Sequence, residues 1–90
     1  MLPKITILTP TYNQGMFIEA TIKSVLSQNY LNLEYYIYDA GSTDNTIEVL
    51  NKYGDQIHWY SEKDNGQSDA INKGLRRATG DIVAFINSDD

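Results

Sequence analysis

The chain contains no cysteine and a single histidine among its 90 residues. Without cysteine it can form neither a disulfide bridge nor a thiolate metal site, which fits a cytoplasmic protein. The one histidine, His58, has no second histidine or cysteine with which to share a metal ion, so we expect a structural or surface role for it. These absences exclude disulfide-rich scaffolds and metal sites built on sulfur.

Basic residues are also few, and long apolar runs are missing. The chain carries 7 lysine and arginine residues against 12 aspartate and glutamate residues, a formal net charge of −5. This balance argues against binding to a nucleic-acid backbone, but it leaves room for a small phosphorylated ligand whose charge a cation offsets. No apolar run approaches the roughly 20 residues of a membrane span, and residues 1–4 do not resemble a signal peptide. We expect a cytoplasmic protein, and a longer parent could lie at the membrane periphery.

Segments with strand and helix periodicity alternate along the chain. The predicted elements are strand one at residues 5–9, helix one after Gly15, strand two at 33–38, helix two with its apolar face at Ile47, Leu50 and Tyr53, strand three at 57–60, helix three with Ala70, Ile71, Gly74, Leu75 and Ala78 facing inward, and strand four at 82–86. Pro10 is expected to end strand one, and either Ser42 or Asp44 to cap helix two. Strands joined by helices pair in parallel with right-handed crossovers. We therefore predict one α/β domain over residues 1–90, with four parallel strands in the order 3-2-1-4 and helices on both faces.

Polar residues cluster where the predicted strands end. The four clusters lie at residues 9–14, 39–44, 61–66 and 87–90, whereas the strand starts carry only scattered lysine and glutamate. The predicted order places a reversal between strands one and four, and open α/β sheets bind ligands in the crevice above such a point. The clusters are therefore expected to form one composite ligand site.

Asp89 and Asp90 directly follow the polar turn that ends strand four. Carboxylate oxygens in this place suit Mg²⁺ or Mn²⁺ that carries a substrate phosphate. Neighbouring side chains on an extended strand point to opposite faces, so we expect Asp90 to ligate the ion and Asp89 to contact a ribose or a coordinated water. The alternative is a solvated acidic tail. Because a domain seldom ends on a metal site, we expect the chain to be the front part of a longer protein.

Asp39 lies at the end of predicted strand two. Its carboxylate could accept a hydrogen bond from a nucleobase or a ribose, or it could instead hold the turn at residues 41–43. Gly41 is expected to supply a positive φ or to let a ligand approach.

Two other loops offer ligand contacts of different kinds. Tyr12 could stack on a base, or its ring could fold back over helix one, and Asn13 is expected to be a turn or capping residue. The dipeptide Asn65-Gly66 could present backbone N–H groups to an anion at the start of helix three, although the motif is weak by itself.

Six segments stand in a specific order and spacing across nearly the whole chain. They are Ile5-Thr6-Ile7-Leu8-Thr9-Pro10-Thr11-Tyr12-Asn13, Ser24-Val25-Leu26-Ser27-Gln28, Asp39-Ala40-Gly41-Ser42-Thr43-Asp44, Ala70-Ile71-Asn72-Lys73-Gly74, Ala78-Thr79-Gly80-Asp81 and Asn87-Ser88-Asp89-Asp90. Together they resemble the donor-binding half of family 2 glycosyltransferases, which have the Rossmann-like GT-A fold of three layers.

The resemblance implies a nucleotide-diphosphate sugar as donor, with a UDP-sugar favoured. The implied contacts with the base and the ribose are Pro10, Thr11, Tyr12 and Asp39. Asp89 and Asp90 match the end of the family's acidic motif, where Mn²⁺ or Mg²⁺ bridges the diphosphate. Family members invert the sugar's configuration with a carboxylate base that would lie beyond this chain. No catalytic residue is therefore assigned here, and we expect the chain alone to bind donor without transferring sugar.

The sequence departs from the family pattern at two positions. Ala40 stands where many relatives carry a second aspartate that contacts the base, which leaves the preference for uracil open. Asn87 stands where aspartate is common, which removes one negative charge from the metal loop.

Several interpretations remain open at this point. The first is the donor-binding part of an inverting glycosyltransferase, and the second is a stand-alone nucleotide-binding module without chemistry. A phosphoacceptor signalling domain fits less well, because that class places its acidic pair after the first strand, where this chain has Thr9-Pro10-Thr11-Tyr12. Strand four is also expected at a sheet edge with exposed apolar side chains, and we expect self-association there.

Overall fold

The computed structural model describes residues 3–63 and 75–87. Its elements, in chain order, are β1 (Ile5–Thr11), α1 (Gly15–Leu26), β2 (Leu33–Asp39), α2 (Thr46–Lys52), β3 (His58–Ser61) and β4 (Ile82–Phe85). The four strands form one parallel sheet in the order β3-β2-β1-β4, which confirms the predicted α/β class and strand order. Most of predicted helix three lies outside the described residues. Residues 75–77 are helical, but Leu75 is 49% exposed, so the inward orientation predicted for it was wrong.

The strand β1 is longer than predicted, and Pro10 does not end it. Pro10 stays in the strand and pairs with Tyr38 of β2. The carbonyl of Leu8 accepts the N–H of Ile86, so the backbone of Leu8 is turned toward β4, where strand pairing ends at this residue. The nitrogen of Pro10, two residues further on, faces the same side, but it lies beyond the last residue of β1 that pairs with β4. No ladder hydrogen bond is lost, which explains how proline is tolerated in a central strand.

The helices α1 and α2 cover one face of the sheet. The buried residues of this core are Ile18, Ile22, Val25, Tyr35, Ile37, Val49, Leu50 and Ile57. In α1 the buried side chains recur at spacings of three and four residues, as expected for an amphipathic helix. In α2, Leu50 of the predicted apolar face is fully buried, and Ile47 and Tyr53 are partly buried against the same core, whereas the burial of Val49 was not predicted. In neither described range does a helix combine the length and the apolar character that a membrane crossing requires.

The opposite face of the sheet carries a ladder of stacked rings. Tyr36 and Tyr38 of β2 have ring centroids 6.2 Å apart. On β3, His58 lies 5.0 Å from Tyr36, and Tyr60 lies 5.4 Å from Tyr38. The guanidinium of Arg77 lies over the ring of Tyr60 at 4.2 Å, a cation–π contact. His58 is thus a stacking residue, in agreement with the structural role expected of it.

The edge formed by the strand starts holds a polar network that the sequence did not indicate. The carboxylate of Glu34 accepts the backbone N–H of Thr79 at 3.1 Å and its hydroxyl at 2.9 Å, and the hydroxyl of Thr6 at 2.8 Å. Lys4 Nζ lies 3.2 Å from the same carboxylate. Burial by itself would raise the pKa of Glu34, but these hydrogen bonds outweigh it and lower the pKa to about 2. The network fastens the segment before β4 to β1 and β2, at the end of the sheet opposite the predicted ligand site.

Candidate functional site

The ends of β1, β2 and β3 bring three of the predicted polar clusters to one edge of the sheet. Thr11 and Asp39 are register partners, and Asp39 pairs in turn with Ser61. The predicted contacts that converge at this edge are Pro10, Thr11, Tyr12 and Asp39. The remaining predicted site residues, Gly66, Asp89 and Asp90, lie outside the described residues.

Asp39 is only 1% exposed, and protein donors surround its carboxylate. Its Oδ2 accepts the N–H of Gly41 at 3.0 Å, the N–H of Ser42 at 2.8 Å and the hydroxyl of Ser61 at 2.7 Å. Its Oδ1 accepts the hydroxyl of Ser42. Gly41 has a φ of +86°, which confirms the positive φ predicted for it. Asp39 therefore holds the turn after β2, and a direct contact between Asp39 and a ligand stays a prediction.

Asn13 fastens the loop after β1 to this turn. Its φ of +49° is left-handed, a conformation that asparagine tolerates. Its Oδ1 accepts the N–H of Thr43 at 2.8 Å and that of Asp44 at 3.3 Å, and its own N–H donates to the Ser42 hydroxyl at 2.8 Å. Because that hydroxyl in turn donates to Asp39, a continuous run of hydrogen bonds joins Asn13 to the buried carboxylate.

The turn role predicted for Asn13 is confirmed, but its partners were not foreseen. They lie 29 to 31 residues further along the chain. The sequence signal that could have found them is an asparagine in a polar loop at the end of a central strand, next to a second polar loop on the neighbouring strand. That signal identifies the two loops without giving the pairs of atoms.

The carboxylate of Asp44 accepts hydrogen bonds from the first residue of each helix at this end of the molecule. Its Oδ1 accepts the N–H of Thr46 at 2.9 Å and the Thr46 hydroxyl at 2.5 Å, and its Oδ2 accepts the N–H of Gly15 at 3.0 Å. The hydroxyl and N–H of Thr46, followed by the N–H of Gly15, lower the pKa of Asp44 from its ordinary value. Of the two residues predicted to cap helix two, Ser42 bonds to Asp39 instead. Asp44 bonds to Thr46, the first residue of α2, from the position before the N-cap, which is Asn45 and makes no side-chain capping hydrogen bond.

Thr11 and Tyr12 present groups that the protein leaves available. Thr11 is 5% exposed, and its buried Oγ1 has no hydrogen-bond partner among the described residues. A buried hydroxyl without a partner is costly, so this atom points to a hydrogen bond with a ligand or a water. The side chain of Tyr12 is 54% exposed. Its ring is thus accessible for stacking on a planar group.

The predicted metal ligands, Asp89 and Asp90, lie outside the described residues. Within residues 3–63 and 75–87, no three histidine, aspartate or glutamate side chains come close enough together to hold a metal ion. The predicted pair consists of hard carboxylate donors, which is the chemistry that Mn²⁺ and Mg²⁺ prefer. The donor set therefore fits either ion.

Comparison with known proteins defines the class. A family model described as glycosyl transferase family 2 matches residues 6–90, and the chain belongs to this family. The Bacillus subtilis protein TuaG, named for a glycosyltransferase role in teichuronic acid biosynthesis, is 42% identical over 92 residues, which cover 98% of this chain and 36% of that protein.

Solved structures of glycosyltransferases share the fold. Mannosyltransferase PcManGT from Pyrobaculum calidifontis, in complex with GDP-Man and Mn²⁺, matches with a TM-score of 0.89 and 30% identity over 99% of this chain and 28% of that one. Glucosyl-3-phosphoglycerate synthase from Mycobacterium tuberculosis, in complex with Mn²⁺, UDP and glucosyl-3-phosphoglycerate, matches with a TM-score of 0.79 and 29% identity over 96% of this chain and 33% of that one. The predicted family and the GT-A fold are both confirmed. The chain spans about a third of the length of these relatives.

Proposed function

We propose that this chain is the donor-binding part of a longer, inverting glycosyltransferase, and that it binds a nucleotide-diphosphate sugar together with Mn²⁺ or Mg²⁺. The observation that carries the proposal is the buried hydroxyl of Thr11, which has no hydrogen-bond partner in the described part of the chain and lies beside the Asp39 turn at the carboxyl edge of a GT-A sheet. The family match and the nucleotides bound by the structural neighbours support the same assignment.

The base and the ribose would bind at the ends of β1 and β2. In this arrangement Tyr12 stacks on the base, the Thr11 hydroxyl donates or accepts one hydrogen bond, and Pro10 lines the pocket. A direct contact from Asp39 requires the Ser61 hydroxyl, now 2.7 Å from Oδ2, to give way to a ligand donor. Without that exchange, Asp39 acts on the ligand through the turn that it holds.

Asp90 would bind the metal ion directly, and Asp89 would contact the ribose or a coordinated water. When bound, the ion neutralises the negative charge of the diphosphate leaving group. Gly66 would contribute a backbone N–H to the phosphates. We place the catalytic base and the acceptor site in a part of the parent protein outside these residues.

We favour UDP over GDP as the nucleotide, although neighbours of this fold bind either one. Ala40 offers no second carboxylate at the base, so the choice depends on Thr11, Tyr12 and the backbone of the turn. The likeness to TuaG, which is named for teichuronic acid biosynthesis, supports a role in polysaccharide biosynthesis. We further propose a cytoplasmic location and a sugar or a lipid-linked acceptor for the parent enzyme.

A calorimetric titration tests this proposal. UDP, GDP and UMP are titrated into the chain with and without Mn²⁺, and we expect UDP to bind most tightly, with an affinity that Mn²⁺ increases. The substitution Asp90→Ala should remove the increase caused by Mn²⁺, whereas Asp55→Ala, at an exposed aspartate before β3, should retain it. Failure of every nucleotide to bind, with and without the metal, would overturn the proposal.

The second candidate is a stand-alone nucleotide-binding module. It predicts the same binding isotherms but assigns no transferase activity to the protein. Sugar transfer by the purified 90-residue chain, abolished by Asp90→Ala, would contradict our assignment of the chemistry to residues beyond this chain.

We also propose self-association through β4, which is an end strand of the described sheet. Ile82 and Phe85 on this strand are each 49% exposed. Among the described residues no strand pairs with the outer side of β4, and an apolar edge strand of this kind is a ready surface for a second copy.

A further inference from the structure

Asn13 lies beside the candidate site, and two of its hydrogen-bonding groups are used within the protein. Its side-chain oxygen accepts hydrogen bonds from Thr43 and Asp44, and its backbone N–H donates to Ser42. We propose that Asn13 is a positioning residue for donor binding, because it locks the loop that carries Tyr12 to the turn that Asp39 holds. This inference rests on the proposed function and adds a residue role to it.

Tyr12 has little packing to fix its direction. With 54% of its surface exposed, its ring depends on the course of its own backbone for its place. On one side that backbone is fixed by β1, since the Thr11 carbonyl accepts the N–H of Ala40 at 3.0 Å. On the other side it is fixed by Asn13, whose left-handed φ turns the chain away from the strand direction. The position of the Tyr12 ring is therefore set by backbone restraints on both sides.

Asn13 is joined to the turn after β2 through the Ser42 hydroxyl and through its own Oδ1. Ser42 Oγ accepts the N–H of Asn13 and donates to the Asp39 carboxylate. The Asn13 Oδ1 also accepts two successive N–H groups of the same turn. The loop that would stack on the base and the turn that would face the ribose thus move as one unit.

When the loop and the turn are already held in place, less conformational entropy is lost on ligand binding. Loss of the lock should weaken nucleotide binding, although none of its hydrogen-bonded atoms is assigned a contact with the nucleotide. It should not change the gain in affinity from Mn²⁺, because the predicted metal ligands lie at the end of another strand, on residues that follow β4.

The test compares two substitutions that both tolerate a positive φ. Asn13→Gly keeps the backbone conformation and deletes the acceptor oxygen, whereas Asn13→Asp keeps an acceptor for Thr43 and Asp44. Calorimetry with UDP and Mn²⁺, at a salt concentration that screens the added charge, gives the affinity. We expect Asn13→Gly to weaken UDP binding about tenfold and Asn13→Asp to stay within about threefold of the unmodified chain. The ratio of affinities with and without Mn²⁺ should be the same in all three proteins.

A control variant separates positioning from general loss of stability. Glu34→Gln weakens the network at the opposite edge of the sheet and should leave UDP affinity unchanged. If Asn13→Gly does not fold, Ser42→Ala provides the test instead, because it removes the bridging hydroxyl and does not alter residue 13. We then expect the affinity for UDP to fall about threefold or more. An unmodified chain that binds no nucleotide contradicts the proposed function. The positioning role is overturned if the unmodified chain binds UDP and the Asn13→Gly or Ser42→Ala variant binds it equally well. It is also overturned if Glu34→Gln lowers the affinity for UDP as much as Asn13→Gly does.

Discussion

The carboxylate of Asp44 accepts the backbone N–H of Gly15 at 3.0 Å, although the two residues are 29 positions apart in the chain. Gly15 is the first residue of α1, and Asp44 also accepts the N–H of Thr46, the first residue of α2. A single side chain therefore accepts a backbone N–H at the start of each of the two helices that cover one face of the sheet. Negative charge at helix N-termini is favourable, because the unpaired N–H groups there carry partial positive charge.

We predict that Asp44→Ala lowers the midpoint of thermal unfolding by a few degrees. Asp44→Asn should lower it less, because an amide oxygen can still accept one of the two sets of hydrogen bonds. The lowered pKa of Asp44 means that its stabilising effect is present above the ordinary aspartate pKa and is lost as pH falls through the lowered value. Scanning calorimetry of the three proteins at neutral and acidic pH measures this. Equal midpoints for Asp44→Ala and the unmodified chain at neutral pH would refute this role of Asp44 at both helices.

Glu34 should make the stability of the fold depend on pH in a defined window. Its pKa is about 2 in the folded chain against an ordinary value of 4.5, so the ionised group favours the folded state above about pH 4.5. This contribution declines as pH falls toward 2. We expect Glu34→Gln to be less stable than the unmodified chain at neutral pH, and the gap to narrow at about pH 3. Urea unfolding followed by circular dichroism gives both free energies. Asp55→Asn, at an exposed position, serves as the control, and a gap that does not change with pH would contradict the prediction.

Gly80 is expected to be intolerant of any side chain. A Cβ at this position would lie 2.5 Å from Thr6 Oγ1, 2.7 Å from the Thr6 backbone nitrogen and 3.0 Å from the Lys4 carbonyl oxygen. Because two of these atoms belong to the backbone of β1 and the segment before it, they cannot move aside cheaply. We predict that Gly80→Ala costs about 2 kcal/mol of unfolding free energy.

Gly54→Ala is the matched control for this substitution. A Cβ there would meet only the Asn51 carbonyl oxygen, at an ordinary 3.6 Å. Denaturant unfolding of the two variants should give a clear loss for Gly80→Ala and little change for Gly54→Ala. Similar stabilities for both variants would show that the backbone near Gly80 shifts enough to accept a Cβ.

Self-association through β4 should be sensitive to Phe85. A lysine on an edge strand opposes pairing with a second strand, so we predict that Phe85→Lys raises the dimer dissociation constant about tenfold or more. Phe17→Lys on α1 is a matched control, since Phe17 is 48% exposed and Phe85 is 49% exposed. Sedimentation at several concentrations measures the effect. A chain that stays monomeric at high concentration, or an equal effect of both substitutions, would argue against the β4 surface.

The sequence predicted the sheet well because its information is local and periodic. The apolar run at residues 82–86 places β4 within one residue of its observed limits, and the helical spacing of Ile18, Ile22 and Val25 identifies α1, whose predicted start after Gly15 is one residue from the observed one. Pro10 was misread because the effect of proline depends on which neighbouring strand its N–H would face. That direction follows from the registers of β2 and β4, which no local pattern contains.

The order of alternating strands and helices, the parallel sheet and the position of the polar loops at one edge were determined by the sequence alone, since hydrophobic periodicity and crossover handedness leave few alternatives. Only the tertiary structure decided which donors the oxygens of Asp39, Asn13 and Asp44 accept, and that the hydroxyl of Thr11 has no partner among the described residues. Many of these contacts join residues about thirty positions apart, and a hydrogen bond depends on distances of a few tenths of an ångström that arise only when the strands are packed side by side.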